Sequence, residues 1–104
     1  MPKSPVFLKE ALEDIDGIYD YIAADSPIAA LEVTDRILKH IEQLIEFPKS
    51  GKLYPDEKLK DYQFRTLTEP PYLIFYRLID QTVTIYRVLH GARDILNAVN
   101  LFNI

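Results

Sequence analysis

The second half of this chain carries its chemistry on arginine. All four Lys or Arg residues after position 60 are arginines (Arg65, Arg77, Arg87, Arg93), whereas seven of the eight before it are lysines. A guanidinium presents a planar fork that holds carboxylates two bonds at a time and stacks on aromatic faces. These four residues therefore read either as contacts to a target or as structural partners of Asp61, Asp80, Asp94 or the tyrosines. His90 is the residue type suited to carrying a proton near neutral pH. The alternative is that His90 caps backbone groups where a strand ends, with Gly91 supplying a positive φ. His40 stands alone, without a partner at metal-ligand spacing, and is expected on the surface. The sequence holds no glycine-rich phosphate loop, no paired nucleophile and base, and no Cys/His cluster, so no cofactor and no metal site are expected.

Seven tyrosines invite a stacking role. Tyr19, Tyr21, Tyr72, Tyr76 and Tyr86 fall where a helix stripe or a sheet face has to be filled, which makes core or partner interface the expectation. The acids of the first helical stretch, Glu10, Glu13, Asp14, Asp16 and Asp20, read as a solvated face. A net charge of -4 gives no electrostatic reason to approach a phosphate backbone or an anionic membrane. With no cysteine, the domain is held by packing alone, as suits a reducing cytoplasm. No apolar run reaches the roughly 18 residues that a membrane span requires, and charge comes too early for a secretory segment.

The elements that must position these residues follow from periodicity. Twelve acids and eight bases precede residue 61, against four and four after it. The hydrophobic period changes from helical to strand-like at the same place. Val6 to Leu8 reads as a short strand. Leu12, Ile15, Ile18, Tyr19 and Ile22 form the apolar stripe of a first helix. Ala30, Val33, Ile37, Ile41 and Leu44 form that of a second, with Ser26 as cap and Pro27 in its first turn. Phe47-Pro48 and then Gly51 end that helix. Residues 52–60 read as a loop, and Tyr62 to Leu67 as a strand. Tyr72 to Ile79 and Thr82 to Leu89 form a hairpin across Asp80-Gln81. Ile95, Leu96 and Val99 suggest a short terminal helix. The expectation is a single α+β domain over residues 1–104, ordered β-α-α-β-β-β-α, with a helix hairpin packed on a small antiparallel sheet.

Four pieces of sequence, in this order, resemble the RelE/ParE toxins of type II toxin-antitoxin systems. The first is Ala11, Asp14-Ile15 and Ile18-Tyr19-Asp20-Tyr21-Ile22-Ala23. The second is Leu44 with Phe47-Pro48 and Gly51. The third is Arg65-Thr66-Leu67 leading to Tyr72-Leu73-Ile74-Phe75-Tyr76, and the fourth, the most specific, runs from Ile85 to Asp94. The resemblance covers nearly the whole chain.

The resemblance implies a cytoplasmic growth inhibitor neutralised by a cognate antitoxin. RelE-like members cleave mRNA on the ribosome, and ParE-like members are reported as inhibitors of DNA gyrase. A metal-independent ribonuclease needs groups that activate a 2′-hydroxyl, stabilise phosphate charge and protonate the leaving oxygen. Where RelE-like toxins place an Arg and a Tyr of that set, this chain has Leu73 and Val99. Arg65 and Arg93 match basic positions of the family's site, and with His90 they form the catalytic set if the chain is a ribonuclease. The missing groups and the acidic charge favour the ParE-like branch, a gyrase-binding inhibitor with no direct DNA contact of its own. Arg65, Arg87, His90 and Arg93 are then the target-binding candidates, and Tyr19, Tyr21, Tyr76 and Tyr86 the antitoxin-binding ones. An inactive, antitoxin-binding member is the third reading.

Overall fold

Helical stripes and β-branched runs assemble as two layers. The computed structural model describes residues 4–94. In chain order, β1 (Val6–Phe7) leads into α1 (Lys9–Ala23) and α2 (Pro27–Glu46); then come β2 (Lys52–Leu53), a 3-10 turn (Glu57–Tyr62), β3 (Arg65–Glu69), β4 (Tyr72–Ile79), β5 (Thr82–His90) and a four-residue turn of helix, α3 (Gly91–Asp94). The sheet order is β1-β5-β4-β3-β2. Neighbours pair antiparallel except β1 and β5, which run parallel, so the sheet is mixed. The expected terminal helix at Ile95, Leu96 and Val99 lies outside the described residues, as does Val99's comparison with the family.

Ser26 caps α2 as its side-chain oxygen accepts the Ala29 N–H at 3.2 Å, with Pro27 in the first turn. Ala30, Ile37, Ile41 and Leu44 are buried, as the stripe predicts. In α1 the buried line passes through Ala11, Ile15, Ile18 and Ile22, and Leu12 stands half exposed. The bulk of Leu12 misleads here, because small Ala11 occupies the position that closes on the neighbouring helix and sheet. Asp80 and Gln81 both adopt left-handed backbone, with φ of 50° and 66°, and close the β4–β5 hairpin at Ile79↔Thr82.

Besides the parallel β1, which makes mixed a sheet expected to be antiparallel, the boundaries expected around residues 52–67 change. Residues 52–60 contain the edge strand β2 and most of the 3-10 turn as well as loop. Tyr62 belongs to that turn, and Gln63, at φ 53°, breaks the extended run, so β3 begins only at Arg65. The turn covers the sheet face opposite the helices: Leu59 and Phe64 are buried, Tyr54 meets Phe75 edge-on at 5.1 Å, and Phe64 meets Tyr86 at 4.9 Å. A bulge makes this possible. Tyr76 pairs with Ile85 but Phe75 with Arg87, leaving Tyr86 as the extra residue. Ile85 and Val88 thus both serve the helix-side core, while Tyr86 reaches the opposite cluster.

Two polar fastenings hold the layers. The Tyr76 hydroxyl donates to the Pro48 carbonyl at 2.8 Å and accepts the Gly51 N–H at 2.9 Å, tying the end of α2 to β4. Burial pushes the Tyr76 phenol above its ordinary pKa, against the pull of the Gly51 N–H and the Arg65 charge. Gly51, which the sequence places at the end of α2, has no positive φ. Space is what requires glycine: a Cβ there would lie 2.6 Å from the Tyr76 hydroxyl and 2.8 Å from the Thr66 carbonyl.

The second fastening is Asp14. Past Phe7 the chain turns into α1, and Asp14 meets β5 beyond the point where β1 stops. It accepts Nε and Nη2 of Arg87 at 2.7 and 2.8 Å and the Val88 N–H at 3.0 Å. The hydrogen bond to Asp14 raises the Arg87 pKa further, outweighing burial, which lowers it.

Tyr76→Phe orphans a buried donor and acceptor and should cost about 1–3 kcal/mol in chemical denaturation; an unchanged midpoint would show that the clamp contributes nothing. Asp14→Ala should cost roughly 2–4 kcal/mol, near the lower end for breaking a buried pair because both side chains keep some exposure. The double replacement Asp14→Ala/Arg87→Met should recover part of that loss, and additive losses would refute the pairing energetics.

Candidate functional site

The sequence-level candidates lie at two ends of the sheet. His90 is the last residue of β5, opposite Tyr72, the first of β4; Arg65 opens β3 opposite Tyr76. Four residues of strand separate these positions, about 13 Å, with two strand spacings across, about 10 Å. Arg65 is also directed away from His90. Its Nη1 donates to the Gly51 carbonyl at 2.8 Å and more weakly to that of Lys49 at 3.4 Å, so the guanidinium secures the turn after α2. Arg65, His90 and Arg93 are therefore not brought together as one catalytic set.

His90 and Arg93 do adjoin, through a cap. The Arg93 N–H donates to His90 Nδ1 at 3.2 Å, and Asp94 accepts the His90 N–H at 3.0 Å, a reciprocal arrangement that starts α3. An Nδ1 that accepts carries no proton, which places the proton of the neutral ring on Nε2. The ring packs edge-on against Tyr72 at 5.8 Å. The capping alternative for His90 thus describes its geometry, but Gly91 does not supply a positive φ. Its N–H donates to the Pro71 carbonyl at 2.8 Å, and a Cβ there would make only ordinary contact with that carbonyl, at 3.4 Å. Arg93 is largely exposed and reaches Asp94 at 3.5 Å, a surface pair of little energetic weight.

Arg87 and Arg77 have structural partners: Arg77 takes tyrosines, one of the alternatives the sequence offered, whereas the partner of Arg87 was not among those it named. Arg87 is committed to Asp14 of the helix face that had read as merely solvated. Arg77 donates Nε to the Tyr62 carbonyl at 2.6 Å and Nη1 to the Tyr86 hydroxyl at 3.1 Å, with its guanidinium 5.5–5.8 Å from the Tyr62, Phe64 and Tyr86 ring centres. His40 is half-buried, with Nε2 3.6 Å from Glu69, which also holds Arg36 at 3.3 Å. These contacts link α2 to β3, and His40 is more than a surface residue.

Among the tyrosines named for partner contact, Tyr76 is fully buried with its hydroxyl spent, which removes it from any exposed interface. Tyr86 packs beneath Phe64 on the face opposite the helices. Tyr19 is half-buried, and Tyr21 is 74% exposed. What single-residue reasoning missed is an apolar stripe on the outer side of α2: Ile28, Leu31 and Leu38 are exposed, at spacings that share one helical face. Their spacing was available in the sequence, but the buried stripe of the same helix masked it. Among the described residues, no group of three or more His, Cys, Asp or Glu is placed to hold a metal ion, and no helix is long and apolar enough to cross a membrane.

Comparison with known proteins agrees with this geometry. A family model described as the ParE toxin of the type II toxin-antitoxin system, parDE, matches residues 6–95. The chain is 35% identical over 88 residues to "Toxin RelE2" of Caulobacter vibrioides, covering 85% of this chain and 94% of that protein. It is 38% identical over 81 residues to "Putative toxin Y4kP" of Sinorhizobium fredii, covering 78% and 80% respectively. Among solved structures, the chromosomal ParDE toxin-antitoxin system from P. aeruginosa contains a chain that superposes with a TM-score of 0.69 at 26% identity, over 86% of this chain and 96% of that one. With its two helices on a five-stranded mixed sheet, and with a family match from β1 to the start of the terminal segment, the chain belongs to the ParE toxin family of type II toxin-antitoxin systems.

Proposed function

We propose that this toxin arrests bacterial growth without catalysis, by binding DNA gyrase, and that a cognate antitoxin neutralises it by covering its surface. The observation that carries the reading is the separation of Arg65 from His90 and Arg93. A metal-independent ribonuclease must focus a phosphate clamp and an acid or base on one phosphodiester, and here Arg65 is turned onto the Gly51 carbonyl. Leu73 stands where the ribonuclease branch carries an arginine. Affinity for a protein target then comes from burial and complementarity. For the antitoxin, the exposed Ile28, Leu31 and Leu38 on α2 and Tyr21 on α1 supply an apolar surface of the kind that an amphipathic or folding-on-binding segment covers.

The second reading, an mRNA interferase, is favoured by the adjacency of His90 and Arg93. In it His90 acts as acid or base and Arg93 as phosphate clamp. A member that only binds its antitoxin is the third.

Purified toxin added to purified gyrase separates these. The gyrase reading expects loss of supercoiling activity or accumulation of DNA cleavage complexes at toxin concentrations comparable to gyrase, reversed by the antitoxin. Unimpaired supercoiling at a large excess of folded toxin would remove gyrase as the target.

A further inference from the structure

The arginines at the Arg65 end of the sheet are used differently from the other arginines. Arg36, Arg87 and Arg93 each have a carboxylate partner, whereas Arg65, Arg77 and Lys49 have none among the described residues. All three line one polar pocket of about 190 Å³, together with Asp61, Tyr62 and Gln63. They arrive from three directions in the chain: Lys49 from the turn after α2, Arg65 from β3 and Arg77 from β4. In a protein with four more acids than bases, three basic residues and one acid, Asp61, line this opening.

The two arginines are also pinned. Arg65 is held by the Gly51 carbonyl through Nη1, and its Nε and Nη2 have no hydrogen-bond partner among the described residues. Arg77 is held by the Tyr62 carbonyl and the Tyr86 hydroxyl against three rings, and its Nη2 is likewise uncommitted. Donors fixed by structural bonds on one edge and open on the other are pre-organised for an oxyanion.

We propose that this pocket is a binding site for a phosphate group. Three cations against Asp61 leave a charge of about plus two, which matches a phosphate dianion better than a single carboxylate. Donors from three elements suit three phosphate oxygens, where a carboxylate offers two. Tyr62, 37% exposed at the rim, gives a face on which a nucleotide base can stack if the phosphate belongs to a nucleotide. The site lies at the far end of β4 from His90 and is independent of which target the toxin has.

The test is an amide and arginine Nε–H NMR titration of the full chain with sodium phosphate at constant ionic strength, beside adenosine monophosphate and sodium acetate. Saturable shifts confined to residues 49–51, 61–65 and 77–78 are expected with phosphate. Lys49→Gln should weaken binding about threefold, the scale of one exposed ion pair, and Asp61→Asn should strengthen it by a similar factor. Both side chains are exposed and hold nothing else among the described residues, so folding is not at stake. Tighter binding of the nucleotide with shifts on the Tyr62 ring supports a nucleotide phosphate, and equal binding supports the phosphate group alone. The proposal is overturned if phosphate gives no saturable shift, if neither substitution changes the affinity, or if acetate binds as well, which would assign the pocket to a carboxylate.

Discussion

Asp14 joins the two layers of this protein at the place where the sheet runs out of strand. β1 is only two residues long, so the outer edge of β5 would show an unpaired Val88 N–H beside α1. One carboxylate accepts that N–H and both prongs of Arg87. An aspartate alone near that edge would pay for its own desolvation, and an arginine alone would leave a half-buried charge without a counterion. Together they fix the angle of α1 on the sheet within a domain that has no disulfide. The Tyr76 clamp does the corresponding work at the other end, holding the turn after α2 against β4 and β3. Between these two ties the helix stripes and the inner faces of β4 and β5 close the main core.

The consequence for function is that most of the arginines with which the sheet could perform chemistry are committed to architecture. Arg87 holds α1, Arg65 holds the turn after α2, and Arg77 holds the 3-10 turn through Tyr62. The His90 ring caps α3. The basic residues that the sequence offers as site candidates are thus held mainly by contacts within the fold.

The helical stripes, the Ser26-Pro27 start of α2, its end at Phe47-Pro48 and the Asp80-Gln81 hairpin were legible in the sequence because each rests on local chemistry or a simple period. The parallel pairing of β1, the β2 edge and the Asp14–Arg87 tie were not, because all depend on partners far apart in the chain. Gly91 lacks the positive φ expected of it, and Gly51 is required by the closeness of the Tyr76 hydroxyl and the Thr66 carbonyl rather than by a positive φ. Tyr76 looked like a surface candidate because an aromatic residue in a strand gives no sign of which face it occupies until a bulge sets the register. Of the candidate site, the residue types were visible and their convergence was not. Arg65, which the resemblance set with Arg93 beside His90, is not gathered with them: it lies two strands over and four residues along from His90.

That separation is tested most directly by mapping mRNA 5′ ends in bacteria in which this chain is induced without an antitoxin. A binding inhibitor that lacks an assembled nuclease site should arrest growth while leaving mRNA ends as they are in uninduced cells. New cuts aligned to codons on ribosome-bound messages would contradict it, and would mean that His90 and Arg93 complete a catalytic site without Arg65.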